Sequence, residues 1–407
     1  MQKRISLPYV LTLMLITSAL TCLITGAVMI RLSGGSFAAG EGSSKTGGSS
    51  SDPVTEYSAL LNKIEEVYIG EFDKSAAAAE AMRAVVDSLG DVWSYYMTPD
   101  EYASYLDRAN NRYAGIGVGV ATNDAGMAVL YVYKGSPAET AGIVAGDVIT
   151  EIDGTSIAGM SLDEITRYLA RPIGDEVGLV VLRADGASQS LTVVYEYIFI
   201  DPVYSEMLDG NIGYIVIANF DTGAANSFIT AANDLIAQGA TAFVFDVRSN
   251  PGGMVKELTD IFDYLLPEGD TFVMMDKDGV EKVDYRSDAA MIDLPAVVLV
   301  DSNSYSAAEY FAAMLHEYGY AETVGEQTTG KNRMQMTFTL PGGGALHIST
   351  SQYLTKNRVS LYDIGGYTPD HIIPLSEEDY ALLISGKLEH GDDEQMLKAL
   401  ELLGAAP

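Results

Sequence analysis

The spacing of apolar and polar positions divides the chain into stretches of different texture. An uncharged apolar run from Leu7 to Ile30 follows Lys3 and Arg4. As a helix it would measure roughly 36 Å, enough to cross a bilayer, and it is longer than the about 7–15 residues of a cleavable signal segment. The basic residues ahead of the run place the N-terminus in the cytoplasm and the rest of the chain outside. The alternative is removal at the small-residue site Ser36-Phe37-Ala38. Residues 33–52 are rich in Gly and Ser and form a flexible tether. Helical spacing follows from Tyr57 to Tyr68 and from Ser75 to Leu89, where Gly90 stops it, and Thr98-Pro99 starts a further helix with Thr98 as its N-cap.

Glycine then punctuates the pattern. Tyr113 to Val120 is an apolar run broken by Gly115, Gly117 and Gly119; Gly135-Ser136-Pro137-Ala138 precedes a short helix, and Gly146-Asp147-Val148-Ile149 and Ile152-Asp153-Gly154 follow. Ser161 to Leu169 reads as a helix, Val177–Leu182 and Leu191–Val194 as strands. From Asp209 onward strands (212–217, 242–247, 297–300) alternate with helices (224–238, 254–266, 307–318), which predicts an α/β core. Residues 334–340 and 345–353 read as a hairpin turned at Pro341-Gly342-Gly343-Gly344, and 393–403 as a last helix, a candidate for self-association into a homodimer.

Charge and cysteine content narrow the function. Lys3, Arg4 and Arg31 are the only charges in the first 31 residues, so the remainder carries 21 basic against 56 acidic residues. Such a surface repels phosphate backbones, and nucleic-acid binding is excluded. The sole cysteine, Cys22, lies in the apolar run, which rules out thiol chemistry and a cysteine-ligated zinc in the body of the protein.

One stretch carries chemistry, Asp301 to Gln335. Ser306 sits where a serine-rich turn becomes a helix, so its hydroxyl is exposed and the N–H of Ala307 beside it is an unsatisfied donor. A serine needs a base. Of the four histidines, His316 lies ten residues along the same helix, roughly 15 Å away. His347 or His371 could approach in a Ser-His-Asp triad. Lys331 is the other candidate, provided that burial keeps it neutral, and Gln335, four residues on, could share its face and orient it. Glycines at the strand-to-helix junction Asn250-Pro251-Gly252-Gly253 can aim further N–H groups at an oxyanion.

The motifs DVRSNPGG (246–253), DSNSYSAAE (301–309) and GEQTTGKNRMQ (325–335) resemble those of the C-terminal processing peptidases, tail-specific serine peptidases of family S41. Residues 112–198 are similar to a PDZ domain in their glycine loop and in the SPAxxAG and GDVIxxIDG elements. The resemblance implies a multidomain α/β fold: a membrane anchor (1–32), the tether (33–52), a helical lead-in (53–108), an inserted β-rich PDZ domain (109–198), a crotonase/ClpP-like peptidase core (199–391) and a C-terminal helical tail (392–407). It implies Ser306 as nucleophile, Lys331 as general base and Gln335 as its orienter, with backbone N–H groups of Gly252 or Gly253 and of Ala307 as the oxyanion hole. In the PDZ domain, Gly115, Ile116, Gly117 and Val118 would receive a substrate's C-terminal tail, the first and third through open backbone and the others through an apolar pocket. No metal or cofactor is required. Against the family pattern, Tyr305 replaces a small residue beside the nucleophile, Ala308 a serine, and Asn332 a glycine whose turn it is expected to keep. The lead-in's usual Asp-Pro-His-Ser element is here Gly90-Asp91-Val92-Trp93-Ser94, expected to bear on the scaffold more than on the chemistry. A membrane-tethered PDZ scaffold with an inactive core, and a crotonase-like acyl enzyme, are the competing functions; nothing here resembles the adenine-nucleotide site the latter needs.

Overall fold

A computed structural model describes residues 52–405. The apolar run at 7–30 lies outside them; among the described residues no helix is long and apolar enough to cross a membrane. The chain divides into a unit ending at Lys74 and a unit beginning at Ser75. The first contains helix α1 (Pro53–Val67), capped by Asp52, with Pro53 opening it.

Helix α2 (Lys74–Asp87) begins at the last residue of the first unit, and the second unit continues with β1 (Tyr95–Met97) and α3 (Pro99–Ala109). Thr98 caps α3 and Glu101 returns the bond, a reciprocal capping box that fixes where the helix begins. The glycine-punctuated region forms β2 (Arg112–Gly115), β3 (Val118–Asn123), β4 (Gly126–Val132), α4 (Pro137–Thr140), β5 (Val148–Ile152), β6 (Thr155–Ser156), α5 (Leu162–Leu169), β7 (Glu176–Leu182), β8 (Ser188–Val194) and β9 (Glu196–Phe199). Its sheet runs β3-β4-β5-β7-β8, with β6 beside β5, around a core of Ile116, Met127, Ile149, Ile165, Leu179 and Val181. β2 and β9 pair antiparallel, Arg112 opposite Phe199 and Gly115 opposite Glu196, so the inserted domain leaves and rejoins the body at one place.

The α/β body follows: β10 (Val203–Leu208), β11 (Ile212–Ile217), α6 (Ala224–Gln238), β12 (Ala242–Asp246), α7 (Val255–Leu265), β13 (Gly269–Met275), β14 (Glu281–Ser287), β15 (Ala296–Val300), α8 (Ala307–Glu317), β16 (Ala321–Gly325), β17 (Arg333–Thr339), β18 (Ala345–Leu354), β19 (His371–Ile372), α9 (Glu377–Ile384) and α10 (Glu394–Leu402). The main sheet has the order β10-β11-β12-β15-β16-β19, parallel from β11 onward. Every residue of β12 and of β15 is buried, as the unbroken runs AFVFD and AVVLV demand of strands covered on both faces. Phe228, Phe245, Phe262 and Phe311 pack α6, α7 and α8 on one face, and Met396 and Ala399 of α10 pack on the other.

That last contact ties 392–407 to the body: Met396 and Ala399 are fully buried, and Asp393 and Gln395 bind buried Arg248, so this side of the helix is core. A second sheet, β1-β18-β13-β14 with β17 on β18, contains the expected hairpin and joins the lead-in to it, because β1 pairs with Ala345–His347 of β18.

Candidate active site

Ser306 follows the turn after β15. Asp301 knits this turn to the one after β12: its carboxylate accepts from Ser249 N at 2.8 Å, Ser249 Oγ at 2.9 Å and Asn303 N at 3.0 Å. Ser304 Oγ accepts from Asp301 N and donates to Val247 O. Held between these bonds, Ser306 adopts φ 58° and ψ −120°, a sparsely populated conformation for a residue with a Cβ. It stands at the N-terminus of α8, where Glu309, one turn on, accepts its N–H at 3.0 Å.

The two glycines of the turn after β12 separate into different jobs. Gly252 N donates to Asn250 Oδ1 at 2.7 Å, so that N–H is not available to a substrate. Its contribution is spatial: at φ 91°, a Cβ would lie 2.7 Å from Ser306 Cβ and 2.9 Å from Ala307 N. Gly253 N and Ala307 N make no hydrogen bond among the described residues. Of the three N–H groups expected to meet an oxyanion, those of Gly253 and Ala307 are therefore free to do so, and that of Gly252 is not.

Lys331 is half-buried, and burial holds its amine down at about 8, against the opposing pull of Glu309 and Asp91. Its Nζ makes no ion pair or hydrogen bond among the described residues and rests 4.5 Å from the centre of the Trp93 ring and 5.9 Å from that of Tyr305. Glu309 ties the lysine's loop to the backbone of Ser306. Fully buried, its carboxylate accepts from Ser306 N, Thr328 Oγ1 (2.7 Å), Gly330 N (2.8 Å) and Lys331 N (2.6 Å). Burial nevertheless pushes its carboxyl above the ordinary value. Tyr353 of β18 donates its hydroxyl to the Lys331 carbonyl, and the Ser306 hydroxyl bears on the same phenol.

Several expectations change here. Gln335 does not bond Lys331; its Nε2 donates to Arg333 O at 2.9 Å and Ser349 Oγ at 3.0 Å. β17 begins only at Arg333, and a bulge between Met334 and Gln335 breaks the four-residue face relation. Asn332 does not keep a glycine-like turn. The left-handed residue is Gly330 (φ 86°), while Asn332 is buried with its Nδ2 on Ser360 Oγ at 2.8 Å. Trp93, expected to serve the scaffold, lies against Lys331, and Glu309 and Tyr353, which no motif singles out, hold the lysine's loop. Trp93 stands in the element that replaces the usual Asp-Pro-His-Ser, which was its one available signal.

No histidine bonds Ser306 among the described residues. His316 meets Asp370, His371 meets Glu322 and His390 meets Glu206. His347 bonds Thr337 at 2.8 Å and is held down to about 4 by burial and then by Lys331, so it is neutral at physiological pH. A cavity of about 510 Å³ lined by Ala296, His316, Glu322 and His371 lies at the starts of β15 and β16, away from the ends that deliver Ser306 and Lys331.

In the inserted domain, Gly117 (φ 87°) turns the chain into β3, where a Cβ would meet Ser136. Val118 begins β3, an edge strand with β4 as its only partner among the described residues. An edge strand can accept an added peptide strand. Gly115 lies in the β2–β9 ladder, and Ile116 is 3% exposed within the domain core, so Ile116 does not line an open pocket.

A half-buried serine at a helix N-terminus, free backbone N–H groups beside it and an inserted module with an open strand edge fit a serine-type peptidase. The profile of peptidase family S41 matches residues 211–373, and that of the PDZ domain matches 129–183. The carboxy-terminal processing protease CtpA of Bacillus subtilis is 30% identical over 339 residues, covering 83% of this chain and 72% of that one. The carboxyl-terminal-processing protease of a Picosynechococcus species is 30% identical over 332 residues, covering 80% and 79%. The crystal structure of a putative S41 protease from Bacteroides fragilis has the same fold at 17% identity, with a TM-score of 0.50 over 90% of this chain and 99% of that one. The chain belongs to the C-terminal processing proteases of peptidase family S41.

Proposed function

We propose that the protein hydrolyses peptide bonds near the C-termini of extracytoplasmic proteins by acyl transfer on a Ser306–Lys331 dyad. The observation that carries this reading is the shared carboxylate of Glu309, which fixes the backbone of the serine and of the lysine to one point while leaving the lysine amine unpaired. With the amine at about 8, holding it neutral at pH 7 costs about 1.4 kcal/mol, against about 5 kcal/mol at its ordinary value near 10.5. Ser306 attacks the scissile carbonyl as Lys331 takes its proton. The oxyanion rests on Gly253 N–H and Ala307 N–H, Lys331 returns the proton to the leaving amine, and water releases the acyl group. Ser306 Oγ and Lys331 Nζ are not hydrogen-bonded, a contact that commonly tightens in the substrate complex.

The PDZ domain, on this reading, takes the substrate tail along the free edge of β3 and delivers or gates it. Residues 7–30 anchor the chain with the body outside the membrane. The peptidase extends through α10, since Asp393 and Gln395 close the network under the oxyanion turn. Ser306→Ala and Lys331→Ala should each abolish cleavage of an unfolded protein, with a serine-reactive probe labelling wild type at Ser306. Full activity in Lys331→Ala would remove the dyad. Tail-peptide binding without probe labelling would favour the inactive scaffold.

A further inference from the structure

The segment Asp91–Met97 is sewn to the hairpin that follows Lys331. Asp91 pairs with Arg333 at 3.0 Å, Ser94 Oγ accepts from Ser349 N at 3.0 Å, and β1 pairs with β18. The result is that the face of Trp93 is held 4.5 Å from Lys331 Nζ, with Tyr305 tilted beside it at 5.9 Å between ring centres. A cation over an indole face is attracted by the ring, most strongly where water is excluded. A neutral amine gains nothing comparable.

We propose that Trp93 is a positioning residue for the reaction: its indole face carries the Lys331 ammonium, and by favouring the charged form it sets the pH at which the base becomes free for Ser306. The proposal rests on the reading of Lys331 as the base. Burial pushes the amine down and the ring opposes that push. The other groups facing Lys331 are accounted for. Asp91 is held low, first by its hydrogen bonds to Ser349 and Ser94, against burial, and it is paired with Arg333. His347 is neutral above about 4, and the Tyr305 and Tyr353 phenols are raised by burial. Glu309, raised by burial, is the neighbour that needs a control.

Trp93 is the only tryptophan in the chain, so its fluorescence, excited where tyrosine does not absorb, reports on this contact in the full-length protein. Wild type should show a transition centred near 8, and Lys331→Met should lack it. A transition that persists in Lys331→Met belongs to Glu309 or another group and overturns the proposal. In the pH profile of kcat/KM, Trp93→Leu keeps the amine dry without the ring, and should move the acid limb down by about 0.5–1 unit. Trp93→Ala, which admits water, should move it up, and Trp93→Phe should leave it within a few tenths. A purely structural tryptophan would lower the rate at every pH and leave the limb in place, which also overturns the proposal. If Lys331→Ala were active while wild type still showed the fluorescence transition, the base reading would fail and the Trp93 contact would stand.

Discussion

Replacing Gly252 by alanine asks how closely the turn after β12 must approach Ser306. The added Cβ would sit 2.7 Å from Ser306 Cβ, where ordinary contact begins at 3.4 Å, so one of the two backbones must move by 0.7 Å. The left-handed φ of 91° adds about 1–2 kcal/mol for a residue with a side chain. Displacements on the order of 1 Å at a reacting group cost about 100-fold in rate. The expected outcome is a Gly252→Ala enzyme that folds, unfolds in urea with about 1–3 kcal/mol less stability, and loses at least about 50-fold in kcat/KM on an unfolded protein substrate. Gly279→Ala is the matched control. It carries a similar φ of 78°, but nothing lies within 4 Å of its Cβ, so it should lose stability without losing activity. Two results refute the reasoning: a Gly252→Ala enzyme within threefold of wild type, or a Gly279→Ala enzyme equally impaired.

Glu309→Gln replaces an oxygen that accepts N–H bonds with an amide that cannot accept at both positions. It should loosen the 328–331 loop and reduce kcat by about 10-fold or more with KM little changed; an unaltered kcat removes Glu309 from the site. Arg248→Ala strands Asp246 and Asp393 in the interior, and urea unfolding should show a loss of about 3–5 kcal/mol; a loss under about 1 kcal/mol would mean that the network relaxes. For Lys331 the linkage has a definite sign. Below about 8 the lysine is charged in folded and unfolded chains alike and its burial destabilises in full; above that the folded protein releases the proton while the unfolded chain keeps it until near 10.5. The stability advantage of Lys331→Met over wild type should therefore shrink between pH 8 and 10, by at most about 3 kcal/mol. An advantage that is flat with pH contradicts the depressed amine.

Where hydrophobic pattern alone decides an element, the chain was readable. β12 and β15 are apolar on both faces, and α5 and α6 repeat at helical spacing between turn residues. β13 and β14 were not found, because GDTFVMM and EKVDYRS carry Asp, Lys, Glu and Arg along an only partly covered sheet. Ser306 and Lys331 could be picked out from local motifs, yet their surroundings could not. Trp93 reaches Lys331 through long-range ties, the pairing of β1 with β18 and the Asp91–Arg333 and Ser94–Ser349 contacts, which no local pattern encodes. Gln335 was misplaced by one bulge, and bulges have no firm signature in a single sequence. Gly252 is different. An asparagine whose side chain caps the N–H two residues on is a recognised turn, so Asn250-Pro251-Gly252 already held the clue that this amide was taken.

The narrow junction of β2 with β9 has a mechanical meaning. Both strands enter the body from the same end, so a tail pulled while held in the inserted domain loads the four-pair ladder at its far end, Gly115–Glu196, and opens it like a zipper, one pair at a time. At the near end, Asn111 and Asn219 exchange amide hydrogen bonds at 3.1 and 2.9 Å, and Phe220 beyond them accepts Met254 N and donates to Gly252 O. Traction on a captured substrate would therefore peel the domain away before it reached the strand that carries the oxyanion turn. On the proposed reading, the junction would act as a mechanical fuse between the domain that takes the tail and the body that bears Ser306.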